Sequence, residues 1–285
     1  MTASHTTSDQ TPANLAQLYG DGSGLDLKWL VMRQYRTTTE SFEDWLIQHL
    51  PLGQKTRVLD AGAGSGRFAI PLAQRLRDAD GSVVALDVLP EVMGPITAAA
   101  RADSLPIETV IGDAAAPPVD AASFDIVLAA HMLYHFADFE AGVRALAGCL
   151  RPGGTFVATT NAAAGMPELY ELHGATMRAL DLPFVEKAPD ARFAVENGAG
   201  LLSGIFDEVE VQTYDGGFTA TSADPIFSYY AGTDLYRGPM RDDRLDWQRR
   251  LLIPPTFVHL AQQRVEAANG RLLIRKDVGA FLCRR

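Results

Sequence analysis

The stretch from Val58 to Ala69, Val-Leu-Asp-Ala-Gly-Ala-Gly-Ser-Gly-Arg-Phe-Ala, limits what this chain can fold into more than any other. Apolar residues run into an acid, then into a loop with glycine at every second position, then into an amphipathic pattern that continues to Arg77. Gly62, Gly64 and Gly66 remove side chains where a strand must turn sharply into a helix and a ligand must approach the backbone. A helix over Gly66–Arg77 presents its free N–H groups at the same place. Strand, bare turn and helix in that order belong to an open α/β sheet whose ligand lies beyond the strand ends. The dinucleotide fingerprint Gly-x-Gly-x-x-Gly does not stand here, because Arg67 occupies the place of its third glycine.

The chain around this turn alternates strand and helix, as a parallel sheet with crossovers requires. Strands are expected at Thr56–Ala61, at Ser82–Leu86 ending on Asp87, at Glu108–Ile111 ending on Gly112-Asp113, at Phe124–Ala130 and at Thr155–Thr160. A helix is expected from Pro90, carrying Val92, Met93, Ile96 and Ala100. Before the sheet, residues 15–50 read as helical, with Trp29, Trp45, Leu46 and Leu50 as buried positions and Thr39 or Ser41 as a cap. After it, residues 161–192 break the alternation. They carry a helical pattern around Leu169, Leu172, Met177 and Leu180, which suits a cap over the carboxyl edge. A helix at Glu196–Phe206, a strand at Val209–Tyr214, helices at about 222–231 and about 241–268, and a last strand at Arg271–Cys283 complete the reading. The expected division is a disordered tail over 1–14, a helical arm over 15–53, the ligand-binding core over 54–160, the cap over 161–192, and the rest of the core over 193–285.

Composition excludes several classes. With 285 residues, 47% of them hydrophobic and 21% charged, the chain has the balance of a soluble globular protein. No apolar run approaches the roughly 20 residues of a membrane span. The Thr/Ser-rich start lacks the basic and apolar regions of a signal peptide, and two cysteines without metal-ligand spacing suit a reducing cytoplasm. A net charge of −10 argues against a nucleic-acid partner.

In such a sheet the residues just past each strand are the site candidates. They are Asp60 with the glycines, Asp87, Asp113 and His131. Asp87 lies about 20 residues beyond the glycine turn, the spacing of a carboxylate that accepts ribose hydroxyls. Each has a structural alternative. Asp60 can fix the turn, Asp87 can start a helix, Asp113 can be a turn residue after Gly112, and His131 or His135 can be packed, hydrogen-bonded histidines.

Val58–Gly66, Asp87, Gly112-Asp113, Phe124–Leu128 and Leu150-Arg151-Pro152-Gly153-Gly154 together resemble the Methyltransf-11/25-type core of class I S-adenosylmethionine (SAM)-dependent methyltransferases. The resemblance covers about residues 56–160, and the flanks are similar to a bacterial small-molecule subgroup. It implies a Rossmann-like α/β sheet with helices on both faces and an antiparallel final hairpin, joined by an N-terminal helical arm and a helical cap. It implies SAM as cofactor and S-adenosylhomocysteine as product. Asp60, Gly62, Ala63, Gly64, Gly66, Asp87, Val88, Gly112, Asp113, Ala114 and His131 are then the cofactor candidates, with Asp113 on the adenine amine. Tyr35 and Arg36 of the arm are candidates for the methionine carboxylate. Where the resemblance leads one to expect Arg and His in that arm, the chain has Lys28 and Met32. There is no Asn/Asp-Pro-Pro-Tyr after the fourth strand, which argues against amino-methylation of nucleobases or glutamine.

Methyl transfer needs near-attack geometry and a dry site, and a base only where the nucleophile arrives protonated. His131 is the first candidate for that base, with His135 and Tyr134 behind it. Tyr19, Glu168, Tyr170, His173 and Arg192 are candidates to line the acceptor side. The expected function is methylation of a small molecule, in secondary metabolism, by a monomer or homodimer in the cytoplasm. Two alternatives stand beside it: non-methyl chemistry on the same fold (a cyclase, decarboxylase or hydroxylase) and a non-catalytic partner of another methyltransferase.

Overall fold

The computed structural model describes residues 23–184 and 192–285. The expected tail and Tyr19 lie outside them, as do residues 185–191 of the expected cap. The strands β1 (Arg57–Ala61), β2 (Ser82–Asp87), β3 (Ile107–Ile111), β4 (Phe124–Ala130), β5 (Leu150–Asn161), β6 (Glu208–Ala220) and β7 (Leu272–Arg284) form one sheet in the order 3-2-1-4-5-7-6. The first five pair in parallel, and β7 runs antiparallel to both β5 and β6. The chain leaves β1 toward β2 and β3, then returns to place β4 on the other side of β1, so the order reverses between β1 and β4. That is where such sheets open a crevice.

Alternation along the strands divides the core. Val58, Val83, Ile126, Val157 and Leu282 point to one face, where α2 (Phe42–His49), α3 (Ala69–Leu76) and α4 (Gly94–Asp103) cover them with Leu46, Leu72, Leu76 and Ile96. Leu59, Val84, Val127, Phe156 and Phe281 point to the other, beneath α5 (Phe139–Gly148) and α7 (Val195–Leu202). Each such side chain, fully buried, contributes about 1.5–3 kcal/mol of transfer free energy.

A third cluster belongs to the cap. It joins α1 (Ser23–Tyr35), α6 (Pro167–Ala179), α8 (Ala223–Ala231) and α11 (Ile253–Ala267) through Val31, Leu169, Leu172, Ile226, Tyr230 and Phe257. Its footing is the hairpin. β5 ends at Asn161 opposite Val278, whereas Asp215 to Ala220 of β6 go on pairing with Asp277 to Leu272 of β7. The ribbon thus rises about 20 Å past its neighbour. The arm is stitched to it: Arg36 bridges Phe218, and the Thr37 N–H donates to the Gly217 carbonyl at 3.1 Å.

Several expectations need correction. The helix after the glycine turn begins at Ala69, not Gly66, because Gly64 and Gly66 have φ of +53° and +89° and cannot join a right-handed helix. Trp29 is 43% exposed rather than buried, with the Arg33 guanidinium over its ring. The long helix expected over 241–268 is two helices, α10 (Trp247–Leu251) and α11, and a separate helix, α9 (Asp234–Arg241), ends where it was to begin. Asp246 caps α10, and Pro254 and Pro255 occupy the first turn of α11, the place where a missing N–H costs nothing. The strand expected over Val209–Tyr214 runs on to Ala220. Ser41 does cap α2, accepting from the Asp44 N–H.

Candidate active site

The strand-end acids converge on one edge of the sheet. The Asp87 carboxylate accepts from the Gly64 N–H at 2.8 Å and from the Leu89 N–H at 2.9 Å, so it fixes the glycine turn against the start of the next crossover. The Gly62 and Ala63 N–H groups both donate to the Leu86 carbonyl, at 2.8 and 3.0 Å. Each Asp87 oxygen accepts one of these bonds and keeps lone-pair capacity for a second donor. Asp113 accepts from the Ala115 N–H at 2.8 Å and is otherwise exposed, while the Gly112 N–H donates to the Asp87 carbonyl. Val88 is half-buried and Ala114 packs in the core beside Leu86.

Asp60 is different. It is 1% exposed, and its Oδ2 has no hydrogen-bond partner among the described residues. Burial, reinforced by the nearby charge of Asp87, pushes its carboxyl up to about 7. A buried carboxylate oxygen without a partner is costly, and a donor supplied by a ligand would relieve that cost. Beside it, a methyl group added at Gly64 would meet no atom within 4 Å, whereas one at Gly62 would meet Met132 at 3.0 Å and one at Gly66 would meet Ile96 at 2.6 Å. The turn is therefore packed on two glycines and open at the middle one. The Ala69 N–H serves the Asp60 carboxylate from the helix start, which leaves Oδ2 as the open acceptor next to bare backbone, and that fits a polar cofactor such as SAM.

His131 ends β4 in the left-handed region, at φ +53°, its N–H donating to the Thr159 carbonyl at 3.0 Å. Its ring lies against Phe42, 5.8 Å between centroids. Burial first, then the positive charges of Arg67, Lys276 and Lys28, hold the imidazole well below its ordinary range, so it is neutral at pH 7. Arg67 itself is ion-paired with buried Glu43. Tyr134 and His135 sit edge to face on a 3-10 turn, and burial also lowers His135.

The remaining expected site residues belong to the arm, the cap and the segment after it. His173 is in the cap core, its Nδ1 bonded to the Tyr230 hydroxyl at 2.8 Å and its pKa pushed down to about 4 by burial. Glu168 is taken up by Arg275, whose Nε lies at 2.6 Å and whose N–H donates at 3.0 Å. The Arg36 guanidinium turns back onto the Thr38 and Thr39 carbonyls of its own arm rather than toward the glycine turn. Arg192 is exposed, and Tyr35 and Tyr170 are half-buried. Burial raises the Tyr170 phenol, and the charge of Asp234 adds to this.

Two side chains of this crevice escape a motif search. Lys28 shares the inward face of α1 with Val31 and Tyr35. Lys276 alternates with Ile274 and Val278 on the inner face of β7. The signal for each was a lysine at a position where the local period calls for an apolar residue.

The sheet order and the glycine-turn geometry define a class: a Rossmann-like protein with a nucleoside-cofactor crevice at the β1/β4 reversal. Residues 59–158 match the family described as "Methyltransferase domain". A malonyl-[acyl-carrier protein] O-methyltransferase of Enterobacter lignolyticus is 31% identical over 208 residues, 72% of this chain and 76% of that protein. A demethylmenaquinone methyltransferase of Deinococcus radiodurans is 37% identical over 101 residues, 35% of this chain and 41% of its own length. In fold, the chain resembles a phosphoethanolamine N-methyltransferase 2 of Haemonchus contortus solved with phosphomonomethylethanolamine and S-adenosylhomocysteine. There the TM-score is 0.56 at 13% identity, over 95% of this chain and 59% of that one. The chain belongs to the class I SAM-dependent methyltransferases that act on small molecules, and its cofactor is SAM.

Proposed function

We propose that this chain methylates a small-molecule acceptor held between the glycine turn and the cap, as a biosynthetic enzyme of secondary metabolism working in the cytoplasm as a monomer or homodimer. The observation that carries the reading is the partnerless Asp60 oxygen beside the open backbone of Gly64. SAM supplies an activated methyl on a sulfonium leaving group. Asp87 takes the ribose hydroxyls while keeping the turn ordered through Gly64 and Leu89. Asp60 faces a donor of the methionine end. Asp113 and the Gly112–Ala114 backbone border the adenine.

His131 is the chain's contribution at the acceptor. Neutral at pH 7, its imidazole has a free lone pair to take a proton from an O–H or N–H nucleophile, and its neighbour Phe42 keeps water away. His131→Asn tests this, since asparagine tolerates the left-handed backbone that alanine would resist. Turnover, read as S-adenosylhomocysteine release, should fall by about a hundredfold or more. SAM affinity by calorimetry should stay within about twofold. If both fall together, the histidine serves the cofactor and the base assignment is wrong. Product mass with methyl-labelled SAM checks the chemistry itself: a product without the label means a cyclase, decarboxylase or hydroxylase on this fold.

A further inference from the structure

One face of the sheet, followed along its carboxyl edge, changes character from end to end. Register places Asp60 of β1, Thr159 and Asn161 of β5, Val278 and Lys276 of β7, and Tyr214 of β6 all on the face that carries Val58 and Val157. Thr159 Oγ1 and Asn161 Oδ1 are buried there without a partner among the described residues, as Asp60 Oδ2 is. Beyond them, Lys276 stands in the seam between Ile274 of the cap core and Val278 of the sheet core, its Nζ over the buried Tyr229 ring at 5.8 Å. Lys28 reaches the same seam from the inward face of α1, which packs on α8 and β6. Neither lysine makes an ion pair or a hydrogen bond with another described residue, in a chain of net charge −10. The other cations nearby have partners: Arg67 has Glu43 and Arg275 has Glu168.

We propose that the acceptor carries a carboxylate, and that Lys28 and Lys276 bind it at the β7 end of the crevice. This rests on the methyl-transfer reading and names its substrate class. Two half-buried cations that repel each other are kept together against their own desolvation, and an anion between them removes both penalties. Burial lowers both lysines, Lys276 to about 8, and the charges of Asp234 near Lys28 and Glu43 near Lys276 act the other way. The methionine carboxylate of the cofactor is the other anion at hand. β7 lies three strand spacings, about 14 Å, from β1 across the sheet, while Arg67 beside the glycine turn is within charge reach of Lys276, so SAM affinity in the lysine variants is what separates the two anions. Thr159 and Asn161, between the two ends, then meet the polar part of the acceptor nearest the transferred methyl.

The test uses the full chain loaded with S-adenosylhomocysteine. Isothermal titration compares benzoate with benzamide and hexanoate with hexanamide, pairs that differ in charge and little in shape. At least one acid should bind about tenfold or more tightly than its amide. Lys28→Met and Lys276→Met should each erase about tenfold of that preference, Lys276→Arg should keep most of it, and SAM affinity should stay within about twofold. Melting temperatures should not fall, because replacing a buried charge with an apolar chain of like shape is neutral or stabilising. Equal binding of acids and amides, no binding of either acid, or a loss of SAM affinity in the Met variants overturns the assignment, the last by showing that the lysines hold the methionine carboxylate. A wild-type chain that fails to bind SAM overturns the methyl-transfer reading and this one with it.

Discussion

The two ends of the crevice are built by opposite means. At the β1–β2–β3 end the polar groups are short acids at strand termini, and Asp87 and Asp113 are held by backbone N–H groups two residues on or across the turn. At the β7–β6 end they are long lysines sent inward from a helix and a hairpin, against Tyr229 and each other. The acids lose little side-chain entropy on ordering, whereas each lysine gives up about 1.5–2 kcal/mol of rotamer freedom when fixed. The first end is prepared in advance for one invariant cofactor. The second carries more rotamer freedom, and an anion bound as proposed would fix it.

Gly64→Val attacks the rigid end at its open point. An added Cβ meets nothing within 4 Å there, so the main cost to the fold is that of a left-handed backbone, at least about 1–2 kcal/mol. SAM affinity should drop by about a hundredfold or more, with acid binding at the far end retained in the absence of cofactor. If acid binding vanishes too, the ends are not separable. A smaller effect is expected from Asp87→Ala, which removes charge-assisted hydrogen bonds worth about 1.5–3 kcal/mol. Calorimetry should show SAM binding weakened by about one to two orders of magnitude. Unchanged affinity in the folded variant would leave Asp87 as a turn-former only.

The mildest test concerns protons. Asp60 titrates near 7 in the fold against about 3.9 in an unfolded chain, so the native state binds the extra proton. Its contribution to stability is therefore full below about pH 4, falls as pH rises toward about 7, and falls no further above it. A cofactor donor facing Asp60 favours the ionised form, so SAM affinity should rise about tenfold between about pH 6 and pH 8. In Asp60→Asn both slopes should flatten. A wild-type affinity that is level across that range would separate Asp60 from the cofactor.

The rigid end was the legible one. Apolar runs ending in Asp60, Asp87 and Gly112-Asp113 carry the strand period and the site chemistry in the same few residues, so finding the strands located the acids. The other end depends on where a hairpin stops. Nothing local to Tyr214 says that β6 continues to Ala220, because Gly216 and Gly217 look like a turn and are instead packed tightly against the β7 backbone. The sequence pattern outlines a cap over 161–192, and the structure packs α6 of that stretch with α1, α8 and α11 in one cluster. On the outline alone His173 and Glu168 look available. Tyr230 and Arg275, which engage them, lie roughly 60 to 100 residues further along the chain. Lys28 stood out in the sequence only as a departure from the resemblance, and Lys276 not at all.

The overshooting ribbon has an evolutionary corollary. Because β6 and β7 pass β5 as one two-stranded stalk, residues 215–220 and 272–277 are bonded to each other and not to the parallel strands. If Lys276 of this stalk holds the acceptor as proposed, mutations there redraw what the enzyme accepts while leaving its handling of the universal methyl donor undisturbed, and lineages that inherit the scaffold change clientele without relearning the reaction.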